Sequence, residues 1–145
     1  MKIAIASDHA GFELKEIVKE FLKDYEVIDF GAFYEESVDY PDTGFEAAIQ
    51  VASGKCEKGI LICGSGIGMS IVANKVPGIR AALCQTKQFA ELSRKHNDEN
   101  TLVLSGRFIS KYLAKEIIET WLETEFEGGR HQKRLDKIHI NEIGE

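Results

Sequence analysis

The sequence has no apolar run near the roughly 20 residues that a membrane-crossing helix needs. Its first stretch, MKIAIASDHAGFELKE, turns polar and acidic too soon for a secretory leader and reads as a strand and a helix. Cysteine is scarce. Cys56, Cys63 and Cys84 are an odd set of 3 with no CxxC pair, which speaks against a disulfide framework and against a zinc site of thiolates. Positive charge is also short: 18 Lys and Arg face 24 Asp and Glu, a net charge of −6, the reverse of the basic footprint of a nucleic-acid binder. A few local arginines could still hold a small anion. Repeats, linkers and low-complexity tracts are absent, so the 145 residues read as one domain, 1–145, long enough to bury a core. With 43% hydrophobic residues, an ordinary share, the expectation is a cytoplasmic globular protein with neither a membrane nor a nucleic acid as partner.

What is present alternates between strand and helix. KIAIAS (2–7) reads as a strand, and FELKEIVKEFL (12–22) carries an apolar stripe at helical spacing. YEVIDF (25–30) is a second strand, followed by a polar loop rich in aromatics (31–41) and a helix capped by Asp42 and running through about Ala52. KGILIC (58–63) is apolar enough for a strand buried on both faces. A short helix from about Gly68 to Val76 ends at Pro77-Gly78, and GIRAALC (78–84) is a fourth strand. Thr86 caps a helix over 87–95, TLVLS (101–105) is a fifth strand, 110–126 is amphipathic, and a basic helix begins near Arg130. The alternation implies βαβ units: a three-layer α/β/α, Rossmann-like fold on a five-stranded parallel sheet. In such sheets ligands bind outside the carboxyl ends of the strands. That rule puts Ser7-Asp8-His9, Cys63-Gly64-Ser65 and Gln85 on one rim.

The stretch CGSGIG (63–68) carries glycine at every second position. A dinucleotide loop starting at Gly64 would need glycine at 69, where Met69 stands, and one starting at Gly66 would need it at 71, where Ile71 stands. No Gly-Lys-Ser/Thr occurs, which speaks against a Walker loop too. What remains is convergent backbone N–H groups at a helix N-terminus, an anion hole for a phosphate or for an oxyanion that develops in a reaction. The other reading is a tight turn and nothing more. Cys63 ends a strand at the lip of this loop, where a helix N-terminus favours the thiolate. It could serve as nucleophile, redox sulfur or proton-abstracting base. Buried cysteine is usually inert, and Cys56 and Cys84 read that way.

His9 follows Asp8 on the same rim, and Arg107 follows the fifth strand there. Tyr40 closes the aromatic loop, in a position to cover a site. His96-Asn97 falls between the fourth helix and the fifth strand, at the amino end of the sheet, so a catalytic His96 would serve a neighbouring subunit. Arg130 and Arg134 lie four apart and share a helix face suited to a phosphate; a solvated basic face is the plainer reading.

The segments SDHAGFELK, EESVDYPD, ILICGSGIGMSIVANK, IRAALC, LSRKHNDEN and EGGRHQKRL follow in order from Ser7 to Leu135. With them the chain resembles the type B ribose-5-phosphate isomerases of the ribose/galactose isomerase family. The resemblance implies aldose–ketose interconversion of ribose 5-phosphate and ribulose 5-phosphate through a cis-enediolate, with no metal and no cofactor. It implies Cys63 as the proton-transferring base, because the family's alternative, a glutamate in the following helix, is replaced here by Met69. It implies His96, with Asn97, as the ring-opening pair acting across a subunit interface in a homodimer or a dimer of dimers. Asp8, His9, Arg107, Arg130 and Arg134 then match ligand-contacting residues, and Gly64, Ser65, Gly66, Ile67 and Gly68 the loop around the enediolate. The helix from about 130 would pack near the interface. Ser65 stands where many members carry threonine, which keeps the hydroxyl and loses a methyl. Within the family, allose 6-phosphate and galactose 6-phosphate are the rival substrates. Outside it, a nucleotide-binding module and a thiol-redox protein are the rival functions.

Overall fold

The computed structural model describes residues 1–143; the last two residues of the expected 1–145 domain lie outside the described ones. Strand-length apolar segments pair side by side, and helices cover what they expose. The elements are β1 (Lys2–Ser7), α1 (Phe12–Phe21), β2 (Glu26–Asp29), α2 (Tyr40–Ala52), β3 (Lys58–Cys63), α3 (Ile67–Asn74), β4 (Ala81–Leu83), α4 (Lys87–Asn97), β5 (Thr101–Ser105), α5 (Lys111–Glu123) and α6 (Arg130–Ile143). The 5 strands pair in parallel, as expected, and their order is β2-β1-β3-β5-β4. No helix among the described residues is long and apolar enough to cross a membrane.

Successive side chains of a strand face opposite sides, and this sorts the core. Ile3, Ile5, Ile60, Ile62, Leu102 and Leu104 pack with Val18, Ala114, Ile117 and Trp121 beneath α1, α4 and α5. Ala4, Ala6, Leu61, Cys63 and Val103 pack with Ala47, Ala48, Met69 and Ala73 beneath α2 and α3. Cys63 thus faces the α2–α3 side because it is in phase with Leu61.

Several boundaries differ from expectation, and α1, β2 and α5 come out slightly shorter, as 12–21, 26–29 and 111–123. Asp42 does not cap α2: the helix starts at Tyr40 after Asp39, and Asp42 sits in its first turn beside Pro41. There Pro41's missing N–H costs nothing and the Asp42 carboxylate meets the positive end of the helix dipole. α3 covers 67–74 rather than 68–76, so Ile67 and Gly68 belong to its first turn. β4 keeps only 81–83, because the Asn100 side chain accepts from Arg80 N and donates to Gly78 O, holding the residues expected to start the strand. At β4 the Asn74 amide also donates to Ala81 O at 3.0 Å and accepts from Ala81 N at 2.9 Å. α4 runs to Asn97, so His96-Asn97 is its last turn and not a connector.

Glu99, just beyond α4, is 1% exposed. Burial pushes its carboxyl up to about 8, against the opposing pull of Ser93 and Arg94. The hydrogen bonds fit a protonated acid. The Ser93 hydroxyl has one proton but sits 2.9 Å from both the Ala90 carbonyl and Glu99 Oε1. A protonated Glu99 donating to Ser93 Oγ frees that hydroxyl to donate to Ala90. A folded-state value above the unfolded one means that folding takes up a proton between pH 4.5 and about 8. Stability then falls as pH rises through that window, by about 1.4 kcal/mol per unit. Glu99→Gln is expected to raise the denaturation midpoint at pH 8 and to flatten its decline between pH 5 and 8, read by urea unfolding. An unchanged pH slope would refute the buried neutral acid.

Candidate active site

The strand order reverses between β1 and β3, the neighbours from which the chain leaves in opposite directions. Open α/β sheets form a crevice beyond the strand ends at that point. β1 ends there in Ser7 and β3 in Cys63. Cys63 is 5% exposed, so its thiol is shielded while its backbone anchors the next turn: Cys63 O accepts from Gly106 N at 2.8 Å and Gly64 O from Arg107 N at 3.0 Å.

The loop from Gly64 to Gly66 feeds α3. Gly66 is its N-cap with φ +81°, a left-handed conformation open to glycine. A β-carbon there would run into Leu83 and stand 3.3 Å from both Leu104 O and Ser105 Oγ. The Ser65 hydroxyl accepts from Ile67 N at 3.2 Å, and the Ser105 hydroxyl donates to Ser65 O at 2.6 Å. At Gly68 a β-carbon would lie 2.6 Å from the Tyr40 ring, so Tyr40 packs directly on the first turn of α3. The loop is therefore held from below by β5 and covered from α2.

Asp8 and His9 continue from β1. The Asp8 carboxylate accepts from Gly11 N at 3.0 Å, which engages one of its oxygens at the start of α1. His9 Nδ1 lies 3.1 Å from Val38 N. The same nitrogen lies 3.3 Å from Val38 O, so the tautomer of a neutral ring decides which of these two contacts is the hydrogen bond and whether Nε2 offers a ligand a donor or an acceptor. His9 and Arg107 line a cleft of about 740 Å³ with Glu13, Glu35, Gly106 and Lys111. A β-carbon on Gly64 would be 3.5 Å from the Arg107 guanidinium. The rim therefore brings together Asp8, His9, Tyr40, Cys63, the 64–68 loop and Arg107.

The structure does not bring His96, Asn97, Arg130 or Arg134 to this rim. Cys63 is level with Ser105 at the end of β5, whereas His96 and Asn97 end α4 ahead of Thr101, where β5 begins. The four steps of β5 alone put roughly 13 Å of sheet between them. Arg130 and Arg134 are exposed on α6 at that amino end. There His131, which the sequence reading missed, stacks on His96 with ring centroids 4.4 Å apart and planes 16° apart. His96 Nε2 lies 3.6 Å from Glu127 Oε1 and His131 Nε2 3.9 Å from the same oxygen. Desolvation, and then the neighbouring His96, hold the His131 imidazole below the usual histidine range. The only signal of its place in the sequence was its spacing of four from Leu135, both being buried on one face of α6.

A sequence model of the ribose/galactose isomerases matches residues 3–138. The chain belongs to this family. Ribose-5-phosphate isomerase B of Escherichia coli K12 is 48% identical over 139 residues, 94% of this chain and 93% of the relative. The solved ribose-5-phosphate isomerase B of Clostridium thermocellum is similar at TM-score 0.97 and 54% identity over 99% of each chain. That of Mycoplasma genitalium with bound ribulose-5-phosphate is similar at TM-score 0.94 and 44% identity over 97% of this chain and 95% of that one. As a ribose/galactose isomerase, the chain is a sugar-phosphate isomerase, and the nucleotide-module and thiol-redox readings of its glycine loop fall away.

Gly54 gives a control for the turn. Its φ is +82° with nothing within 4 Å of an added β-carbon, whereas Gly66 has φ +81° and no room. Gly54→Ala is expected to lose about 1–2 kcal/mol by left-handed strain alone and to keep full turnover. Gly66→Ala is expected to lose more and to lose turnover. Equal thermal shifts with equal activity would show that packing at Gly66 is irrelevant.

Proposed function

We propose that the chain interconverts ribose 5-phosphate and ribulose 5-phosphate through a cis-enediolate, with Cys63 as the base. The observation that carries this is the position of Cys63 at the end of β3, beneath a glycine turn that opens α3 where the strand order reverses. A base and an oxyanion hole must flank adjacent carbons. The Cys63 thiolate takes the C2 proton, and negative charge develops on the C1 oxygen. The amides of 64–68 and the Ser65 hydroxyl meet that charge in a site that needs no reorganisation. A proton passes from O2 to O1, Cys63 returns its proton to C1, and the ketose results. His9 and Arg107 hold the substrate away from the reacting carbons, which spends remote binding energy on orientation. Asp8 assists at a sugar hydroxyl, and Tyr40 covers the loop.

Position 69 supports the cysteine as base. Met69 is fully buried with its sulfur against Gly44, so the helix after the loop offers core packing there and no proton acceptor. Cys63→Ala is expected to lower turnover about 10²–10⁴-fold with a smaller change in KM, measured on ribose 5-phosphate and allose 6-phosphate side by side. Near-normal turnover would remove Cys63 from the mechanism, and the wild-type ratio between the sugars names the preferred one.

Ring opening is assigned to His96 with Asn97, supplied by a second copy to the first copy's rim, with Arg130 and Arg134 as phosphate partners. Separation of the two residue groups along one chain supports this reading: each end of the sheet carries half of what the reaction requires. Mixing Cys63→Ala with His96→Ala chains then rebuilds one intact site in each mixed dimer. Random exchange should restore about a quarter of wild-type turnover, since half the dimers are mixed and each has one good site of two. No recovery after exchange, verified by native mass spectrometry, would place all the chemistry within one chain.

A further inference from the structure

We propose that His96, Glu127 and His131 form a site for a divalent transition-metal ion, zinc in the first place, and that filling it removes the His96 imidazole from catalysis. One ligand atom from each residue lies within 4.8 Å of the others. Bonds of 2.0–2.1 Å in a tetrahedral zinc site put ligand atoms roughly 3.3 Å apart. The contacts of 3.6 and 3.9 Å to Glu127 Oε1 therefore need to close by a few tenths of an ångström, and the two imidazole nitrogens, within 4.8 Å of each other, by up to roughly 1.5 Å. Two imidazoles and one carboxylate, with a fourth position open, make a chemically familiar zinc donor set.

The three residues come from two parts of the chain, the end of α4 and the stretch from 127 to 131, and the backbone holds them together. His96 is in the last turn of α4, and Glu127 N donates to Lys95 O at 3.1 Å, one residue from His96. His131 is in the first turn of α6, and its N donates to Gly128 O at 3.1 Å. One adjustment is required. A metal lies in the plane of each ring that binds it, so the stacked rings must splay from their 16° angle. His96, with a side chain 39% exposed at a helix end, is free to turn; His131, at 10%, is the fixed ligand. Lys95, the cation adjacent to His96 in sequence, is paired with Glu91. The metal is an inhibitor here and not a cofactor. Its binding stands on this geometry alone, whereas the inhibition rests on the role given to His96 under Proposed function.

Cobalt(II) titration of the full chain tests the site without using activity. We expect saturable visible ligand-field absorption at one cobalt per chain, displaced by zinc, with affinity at least about 10-fold weaker in Glu127→Gln and in His131→Gln. Glu127 is half exposed, so its variant keeps the fold if that of His131 does not. Unchanged affinity in Glu127→Gln, or no saturable signal, would overturn the site. Zinc inhibition of ribose 5-phosphate turnover, reversed by a chelator, is expected to shift to about 10-fold higher zinc in Glu127→Gln. Inhibition that this variant leaves unmoved would place the inhibitory ion elsewhere and overturn the proposal. Cobalt binding as expected, without zinc inhibition, would leave the site standing and overturn its effect through His96.

Discussion

At Gly66 the chain turns from strand to helix within three residues of Cys63, and the left-handed backbone there lets a cysteine and a helix N-terminus share one point. Everything else at the rim is arranged around that turn. Ser105 holds it from the neighbouring strand through the Ser65 carbonyl, Tyr40 rests on its first helical turn, and Gly106 and Arg107 hydrogen-bond to the carbonyls that lead into it. Even the direction of the Cys63 side chain follows from strand phase. The residues that put Leu61 into the α2–α3 core also put Cys63 there. A one-residue slip of β3 would turn the thiol to the opposite face.

The second constraint is distance. A parallel sheet sorts its loops into two sets, one at each end, and α4 returns the chain to the amino end before β5 begins. His96 is thus committed to the end opposite Cys63 by topology and not by local sequence. The same return brings α6 against α4 and stacks His131 on His96. Buried polarity follows the path too: Glu99 is drawn under β4 by the turn between α4 and β5, where a protonated carboxyl costs less than a buried charge.

The strands and their parallel pairing could be read in the sequence because buried β-strands leave dense apolar runs and each run is followed by a helical stripe. β3 and β5 are such runs, and their limits agree to the residue. The rim residues could be read because the carboxyl-end rule converts strand ends into a map, which put Asp8, His9, Cys63 and Arg107 together. Boundaries set by side-chain competition could not be read. Asn100 takes the backbone groups that would have lengthened β4, and Pro41 lets α2 start before the expected Asp42 cap. His131 was illegible for another reason. Its partner His96 is distant in the chain, and no spacing rule links the end of one helix to the start of another.

The Asn74 side chain mimics a strand at the outer margin of β4, occupying both the N–H and the C=O of Ala81. In a strand of 3 residues this withholds one of the few outward pairs of backbone groups from a foreign ladder. The β4 margin is thereby a poorer template for a foreign strand than a bare edge of the same length would be, and the device costs a single side chain and no change in strand order.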